Sequence, residues 1–552
     1  MPVIKYSDIL GGMYPDIPYH TQKPNEWTNL KNCRTWVRSV DKVGGWVNEF
    51  TYPLGISQPN MVQFWEAMNS GGTLNGYFVY AKAGNIRRIG AAGDTDIRQN
   101  GTDYTNVLTP ATPTIPDLAE WNFTAMNGGY DMVVSNPYIT PQYMDGDANT
   151  LADLPGWVNN SVVLNVVATT AQVVRAFSNQ LIAGNIAYLL NDGTIVRRPS
   201  TILISDDAPP GGIPQSWSAT SSNAADSFEL TSTDPIYDIV VFRNNALALC
   251  QNSMFLIGKS VSQSPTSVTQ LSSVRGIIGK GAVQVVDGFC YVVTTDDIIK
   301  LDGSSTNFKS IANDIIKTTF FESELNINAG SSVFMRYHRY FNELMIAYPS
   351  KSSGGTVCDK ALIYSLDDGA WSWTDLPGVY DATTAPVVGN GNSDPYRAWP
   401  INTYNYNVQR LHFASGNQLQ AMDIGTDRNG PYEVLMERFF DLDAYEDKSA
   451  KTVQNVGSQV TKQLNAIYPT FVGDGSLQVQ LKFFQTPVPN GSIDWTTPDQ
   501  VLSYDVNAVA PDYKIDAYGR FRFMAMRIVS NTNLQLQLCD FSMDISPSGK
   551  FG

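Results

Sequence analysis

Residues 242–258 read FRNNALALCQNSMFLIG: a tight polar turn, an alternating apolar run, a second polar turn and another short apolar run. Strand formers bounded by Asn, Gly, Asp and Ser are the signature of hairpins. The same unit recurs along the chain. Its first half returns as NGYFVYAK (75–82), FSNQLIAG (177–184), VDGFCYVV (286–293), FNELMIAY (341–348) and LHFASGNQLQAMD (411–423). Its second half returns as GNIRRIG (84–90), DGTIVRRPS (192–200), DDIIKLDG (296–303) and KALIYSLDDGAWSW (360–373). Successive hairpins at intervals of roughly 40 to 75 residues predict an irregular β-propeller with long inserted loops, since regular propeller families repeat at about 40 to 50. Stacked β-sandwiches are the second choice.

Helical periodicity is scarce. Apolar spacings of three and four predict helices at PNMVQFWEAMNS (59–70) and SIANDIIKTTFFESEL (310–325). From about Tyr432 the texture changes to longer alternating strands, SLQVQLKFFQ (476–485) and YGRFRFMAMRIVSNTNLQLQLCDFSMDIS (518–546). That alternation suits an antiparallel sandwich with one solvated face. The expected order is an N-terminal segment (1–60) that wraps around the platform domain, a propeller (61–430) and an all-β, sandwich-like platform (431–552). The boundary falls at the turn DRNGP, and residues 90–160 are a candidate inserted loop or tip.

Of 552 residues, 37 are basic and 52 acidic, giving a net charge of −15, and charged residues make up only 16%. An average soluble protein has roughly 25%. Disorder is excluded for most of the chain, and so is a protein that grips DNA through clustered cations and counterion release. Five scattered cysteines without a CxxC pair read as reduced core thiols. The start, MPVIKYSDILGG, lacks the basic and apolar regions of a signal peptide. No apolar run approaches 18 residues, so no stable membrane insertion is expected.

No residue stands out as catalytic, cofactor-binding or metal-ligating. SLDDGAWSW (365–373) nearly spells the Asp-box SxDxGxTW, with Ser365, Asp367 and Gly369 in register but Trp371 and Trp373 on either side of the required place. It reads as a structural turn. MDGDANTLAD (144–153) opens like a calcium loop with Asp145, Asp147, Asn149 and Asp153, then fails at Thr150 and Gly156. The pairs Asp206-Asp207, Asp296-Asp297 and Asp367-Asp368 are adjacent in sequence and would face opposite sides of a strand, whereas glycosidase acids must converge across a cleft. His338, between Arg336 and Arg339, has no Ser or Cys elbow to serve and reads as a packed or surface imidazole.

The order of segments resembles the tail nozzle proteins of short-tailed bacteriophages, also called tail tubular protein B or packaged-DNA stabilisation protein. The resemblance rests on RRPSTILISDDAPPGGIPQSW (197–217), RNNALALCQNSMFLIG (243–258), SVRGIIGKGAVQVVDGFCYVVTTDDIIKLDG (273–303), RYHRYFNELMIAYP (336–349), ALIYSLDDGAWSW (361–373) and FRFMAMRIVSNTNLQLQLCDFSMDI (521–545). It covers roughly 170–552. The chain departs from the family at RSVDKVGGWVNEF (38–50), where Gly44-Gly45 replaces an Arg-Pro-Gly-type turn. The resemblance implies a structural virion protein, not an enzyme. It would form a homohexameric ring below the portal and adaptor, assembled in the host cytoplasm, with tail fibre, spike or needle proteins as partners. Duplex DNA would pass through a non-adhesive lumen. The competing expectation is a glycan-binding or sialidase-like propeller for host surface recognition.

Overall fold

The structure is a computed structural model. It describes residues 3–6, 8–23, 25–49, 54–90, 92–109, 114–157, 165–259, 266–302, 308–386, 409–424, 428, 432–441, 445–447, 452–454, 460–473, 475–489, 493–506, 514–531 and 535–550.

The short turns set the architecture. Ala83-Gly84, Ser178-Asn179, Arg243-Asn244, Asp287-Gly288 and Gly416-Asn417 are two-residue connections closing antiparallel pairs. The first residue of each has positive φ, between 50° and 61°, as hairpins that match strand twist require. At Asp287-Gly288 both φ values are positive, and the glycine carries the second at no steric cost.

These hairpins build six four-stranded antiparallel sheets. Their first strands are Met61–Met68, Asn122–Met126, Val166–Phe177, Ile236–Phe242, Val283–Val286 and Ala382–Pro386. A seventh set of four, beginning at Phe334–His338, opens a nine-stranded sheet. The first strands pack side by side in chain order, and the last lies against the first. The fold is therefore all-β, a seven-bladed propeller closed into a ring. Apolar clusters sit between neighbouring blades. Val62, Phe78 and Ile89 of the first blade meet Ala385, Ala414 and Leu419 of the seventh. The fourth strand of the seventh blade comes from the other end of the chain: Trp46–Asn48 pairs with Gln418–Met422.

The remaining strands form the platform. Ile515–Phe521, Val460–Gly473, Leu536–Lys550, Ser39–Lys42 and Cys33–Trp36 lie in order in one sheet, with Val3–Tyr6 added on Leu536–Lys550. The facing sheet continues the sixth blade outward. After Trp371–Val379 come Asn29–Lys31, Val434–Asp441, Phe523–Ser530, Ser476–Phe484 and Gln500–Asp505. Side chains from both sheets, among them Val40, Leu464, Leu538 and Phe541 against Met436, Leu481 and Met524, form one core with the fifth and sixth blades. The N-terminal segment thus joins both platform sheets and closes the propeller.

Two helix expectations change. Residues 61–68 are a strand, because the innermost strand of a blade is buried on both faces. Its near-continuous apolar run then mimics helical spacing. The helix expected over 310–325 shrinks to a single wide turn, Thr319–Glu324, with the Asp16 carboxylate accepting from the backbone of Thr318 and Thr319. Residues 90–160 are no inserted loop or tip: they hold the outer strand of the first blade and all four strands of the second. The DRNGP turn lies outside the described residues except for Arg428. All five cysteines are free, and all but Cys539 are buried. No helix among the described residues is long and apolar enough to cross a membrane.

Candidate functional site

The chemistry-bearing motifs separate in space into ordinary structural tasks. In the near Asp-box, the Ser365 amide bonds to the Ala370 carbonyl at 2.9 Å and the Gly369 amide to the Ser365 carbonyl at 3.0 Å. Asp368 caps Ala370, Asp367 accepts from the Asn342 side chain, and Gly369 supplies φ +74°. The motif is the hairpin turn between the third and fourth strands of the sixth blade. Around 144–153 the oxygens disperse. Asp147 accepts from the Ser70 amide and the Tyr130 hydroxyl, Asn149 from Arg88 and Asp153 from Gln142. Such divergent partners do not make a cation cage.

The paired carboxylates divide in the same way. Asp297 is buried, bonds to Ser310 Oγ at 2.7 Å and lies 3.5–3.6 Å from Arg275 and Lys317, whereas Asp296 is turned outward. Asp206 caps the Asp207 and Ala224 amides.

His338 is packed, with no exposure, and it belongs to a buried charge cluster. Its Nδ1 faces Glu343 Oε1 at 3.3 Å and Asp423 Oδ2 at 3.5 Å. These three residues bring potential metal-ligand atoms within 4.8 Å of one another. A cation already occupies the gap: Arg34 Nη2 is 2.9 Å from each carboxylate oxygen, and its guanidinium stacks 3.7 Å from the Phe341 ring. The cluster ties the N-terminal segment to the sixth and seventh blades. Burial would raise the Asp423 carboxyl, but the Arg34 charge, followed by His338, overrides it and holds the group at about 2.

A second network runs around the line on which the innermost strands converge. Arg175 donates to Asp238 Oδ1 at 2.7 Å and to the carbonyls of Ile239 and Phe123. Arg336 pairs with Asp381, whose other oxygen accepts from the Val62 amide at 3.0 Å. Lys280 donates to the Trp121 carbonyl, and Gln172 donates to Glu120 at 2.8 Å. Burial pushes the Lys280 ammonium down to about 8 against the pull of Glu120 and Asp238. A pocket of about 110 Å³ lies among Glu120, Lys280, Arg336 and Asp381. Groups in or beside the innermost strands of all seven blades contribute to this network, and its members are far apart in sequence; Arg175, Asp238, Arg336 and Asp381, charged residues in or next to otherwise apolar innermost strands, were its sequence signal.

A cleft of about 500 Å³ lies between the sixth blade, the N-terminal segment and the platform, walled by Tyr19, Trp373 and Trp495. Its charges are paired: Lys31 with Asp375 at 3.2 Å, Lys360 with Glu324 at 2.8 Å, and Arg527 with Glu437 at 2.9 Å.

No known family matches the chain, and no curated protein is similar to it in sequence. Among solved structures it is similar to PorZ, described as an essential bacterial surface component of the type-IX secretion system of Porphyromonas gingivalis. The identity is 10% and the TM-score 0.33, over 69% of this chain and 38% of that one.

Proposed function

We propose that this chain is a structural, non-enzymatic subunit of a short-tailed phage tail: a nozzle protomer that assembles as a homohexameric ring below the portal and adaptor. The observation that carries the reading is the continuous nine-stranded sheet that welds propeller to platform, making a two-part building block. The segment order that resembles the nozzle family runs through both parts. In this reading the duplex does not thread the propeller axis, where the Arg175–Asp238 and Arg336–Asp381 pairs sit, and the conduit runs between copies. A chain with a net charge of −15 repels phosphates rather than holding them, which suits a genome that is retained by a gate and then released. Adaptor, fibre, spike or needle proteins dock on the ring, and assembly takes place in the host cytoplasm before the protein resides in the virion tail.

The experiment is the assembled mass and electron-microscopic shape of the chain, alone and mixed with the products of its neighbouring genes. A six-fold ring with a hole of duplex width is expected. A persistent monomer that binds duplex DNA tightly at physiological salt would end the proposal. The second reading, a glycan-binding propeller, is favoured by the cleft walled by Tyr19, Trp373 and Trp495, because aromatic faces beside paired charges suit sugar rings. Screening a monomer against a glycan array tests it.

A further inference from the structure

Arg410 is 3% exposed, yet no carboxylate among the described residues lies within ion-pair distance of it. Its guanidinium stacks 3.5 Å from the Tyr340 ring centroid, Nη1 donates to the Gln409 carbonyl at 3.3 Å, and Nε has no partner. The acid that acts on it most strongly, Asp423, already has both oxygens engaged, one by Arg34 and one by the Gly44 amide at 2.7 Å. A buried cation without a counter-ion is costly, the aromatic ring offsets that cost in part, and a carboxylate arriving beside it relieves it further.

The space for such a partner exists. Arg410 lines a pocket of about 320 Å³ between the N-terminal strands, the turn of the sixth blade and the platform. Arg34, Lys42, Arg410, Asp41 and Asp423 stand on its wall. Arg34 is already held between Glu343 and Asp423, which leaves the Arg410 guanidinium as the wall's cation without a carboxylate at ion-pair distance among the described residues. Lys42 reaches across to the Tyr432 ring at 4.1 Å. Trp36, Tyr340 and Phe341 supply aromatic surface beside the charge; Trp36 meets Phe341 edge-on at 5.0 Å. A single unpaired guanidinium matches a monoanion better than a phosphate dianion, and its edge matches the planar fork of a carboxylate.

We propose that this pocket is a binding site for a monocarboxylate carried on a small body with a flat or apolar face, with Arg410 as its anchor and the Trp36–Tyr340–Phe341 rings as its seat. The same chemistry arrives either as a free sugar acid or as an acidic side chain presented by a docked protein segment. The proposal is independent of the tail role.

Isothermal titration calorimetry of the full chain at fixed ionic strength tests it, with D-glucuronate and N-acetyl-glutamate methylamide as the two probes. Glucose and inorganic phosphate serve as the neutral and dianionic comparisons. Saturable one-to-one binding of either carboxylate is expected, and the tighter of the two names the source. Arg410→Gln should weaken it by at least about ten-fold, since a charge-assisted bond is lost. Lys42→Gln, at the more open side of the pocket, should weaken it several-fold and serves should the Arg410 variant fail to fold. Absence of saturable carboxylate binding to the wild type, binding of phosphate alone, or undiminished affinity in a folded Arg410→Gln chain would overturn the assignment.

Discussion

Arg34 of the N-terminal segment donates to Asp423 of the seventh blade at 2.9 Å, across 389 positions of sequence, and each side chain is only 2% exposed. The same nitrogen serves Glu343 of the sixth blade. One guanidinium therefore holds three parts of the chain that no local turn could bring together.

Replacing it should be costly. Arg34→Met leaves two buried carboxylates without the guanidinium that bridges them, and breaking a buried ion pair from one side costs about 3–5 kcal/mol. Urea unfolding followed by tryptophan fluorescence should report a loss of that order. A change under about 1 kcal/mol would show that water or a side-chain shift solvates the acids, and that the contact is not a tie.

The same contact sets an acid limit. Asp423 is held at about 2 in the folded chain, below the roughly 3.9 of an unfolded aspartate. A group so depressed adds stability that is fully present above its unfolded value and is lost as the pH falls through its folded one. The stability difference between wild type and Asp423→Asn should be level above about pH 5 and shrink by about 2 kcal/mol between pH 4 and pH 2. A difference that stays constant to pH 2 would remove the Arg34 charge as the cause.

Asn32 is the splice between propeller and platform. It has no exposure and a φ of 57°, and its side-chain oxygen accepts from the Thr374 hydroxyl, the Asp375 amide and Arg428. Its amide donates to Asp375 and to the Glu433 carbonyl. Asn32→Leu strands three buried donors and puts a branched side chain in the left-handed region. A loss of about 3 kcal/mol or more is expected. Hydrogen exchange should localise it to Trp371–Val379 and Val434–Asp441, the strands that flank Asn29–Lys31. Exchange rising evenly over the whole chain would contradict a role at the splice.

Legibility from sequence followed the range of the forces involved. Turns such as Arg243-Asn244 and Asp287-Gly288 are local, so their polar residues announced the hairpins, and with them the propeller. The texture change near Tyr432 marked the platform because its strands alternate. Burial on both faces misled at Met61–Met68, where Met61, Trp65 and Met68 fit a helix as well as a strand. Closure of the ring by Trp46–Asn48 and the splice at Asn29–Lys31 could not be read, since three-residue strands pair through backbone groups that carry no sequence mark. Arg34, Asp423 and Arg410 were equally silent. Each is an ordinary charged residue until the fold buries it.

The charge network on the propeller axis gives a prediction of opposite sign in alkali. Lys280 sits at about 8 because burial disfavours its charge more than Glu120 and Asp238 favour it, whereas an unfolded lysine titrates near 10.4. Between those values the unfolded chain binds more protons than the folded one, so this group makes the fold more stable as pH rises. Measured against Lys280→Met, which keeps the stem and removes the charge, the wild type should gain up to about 3 kcal/mol from pH 8 to pH 10.5. Tyrosine ionisation affects both chains alike and cancels in the difference. A difference that falls with pH would mean that the ammonium is held by its carboxylates rather than opposed by burial, and the axis would then be a site that stores positive charge instead of a neutral one.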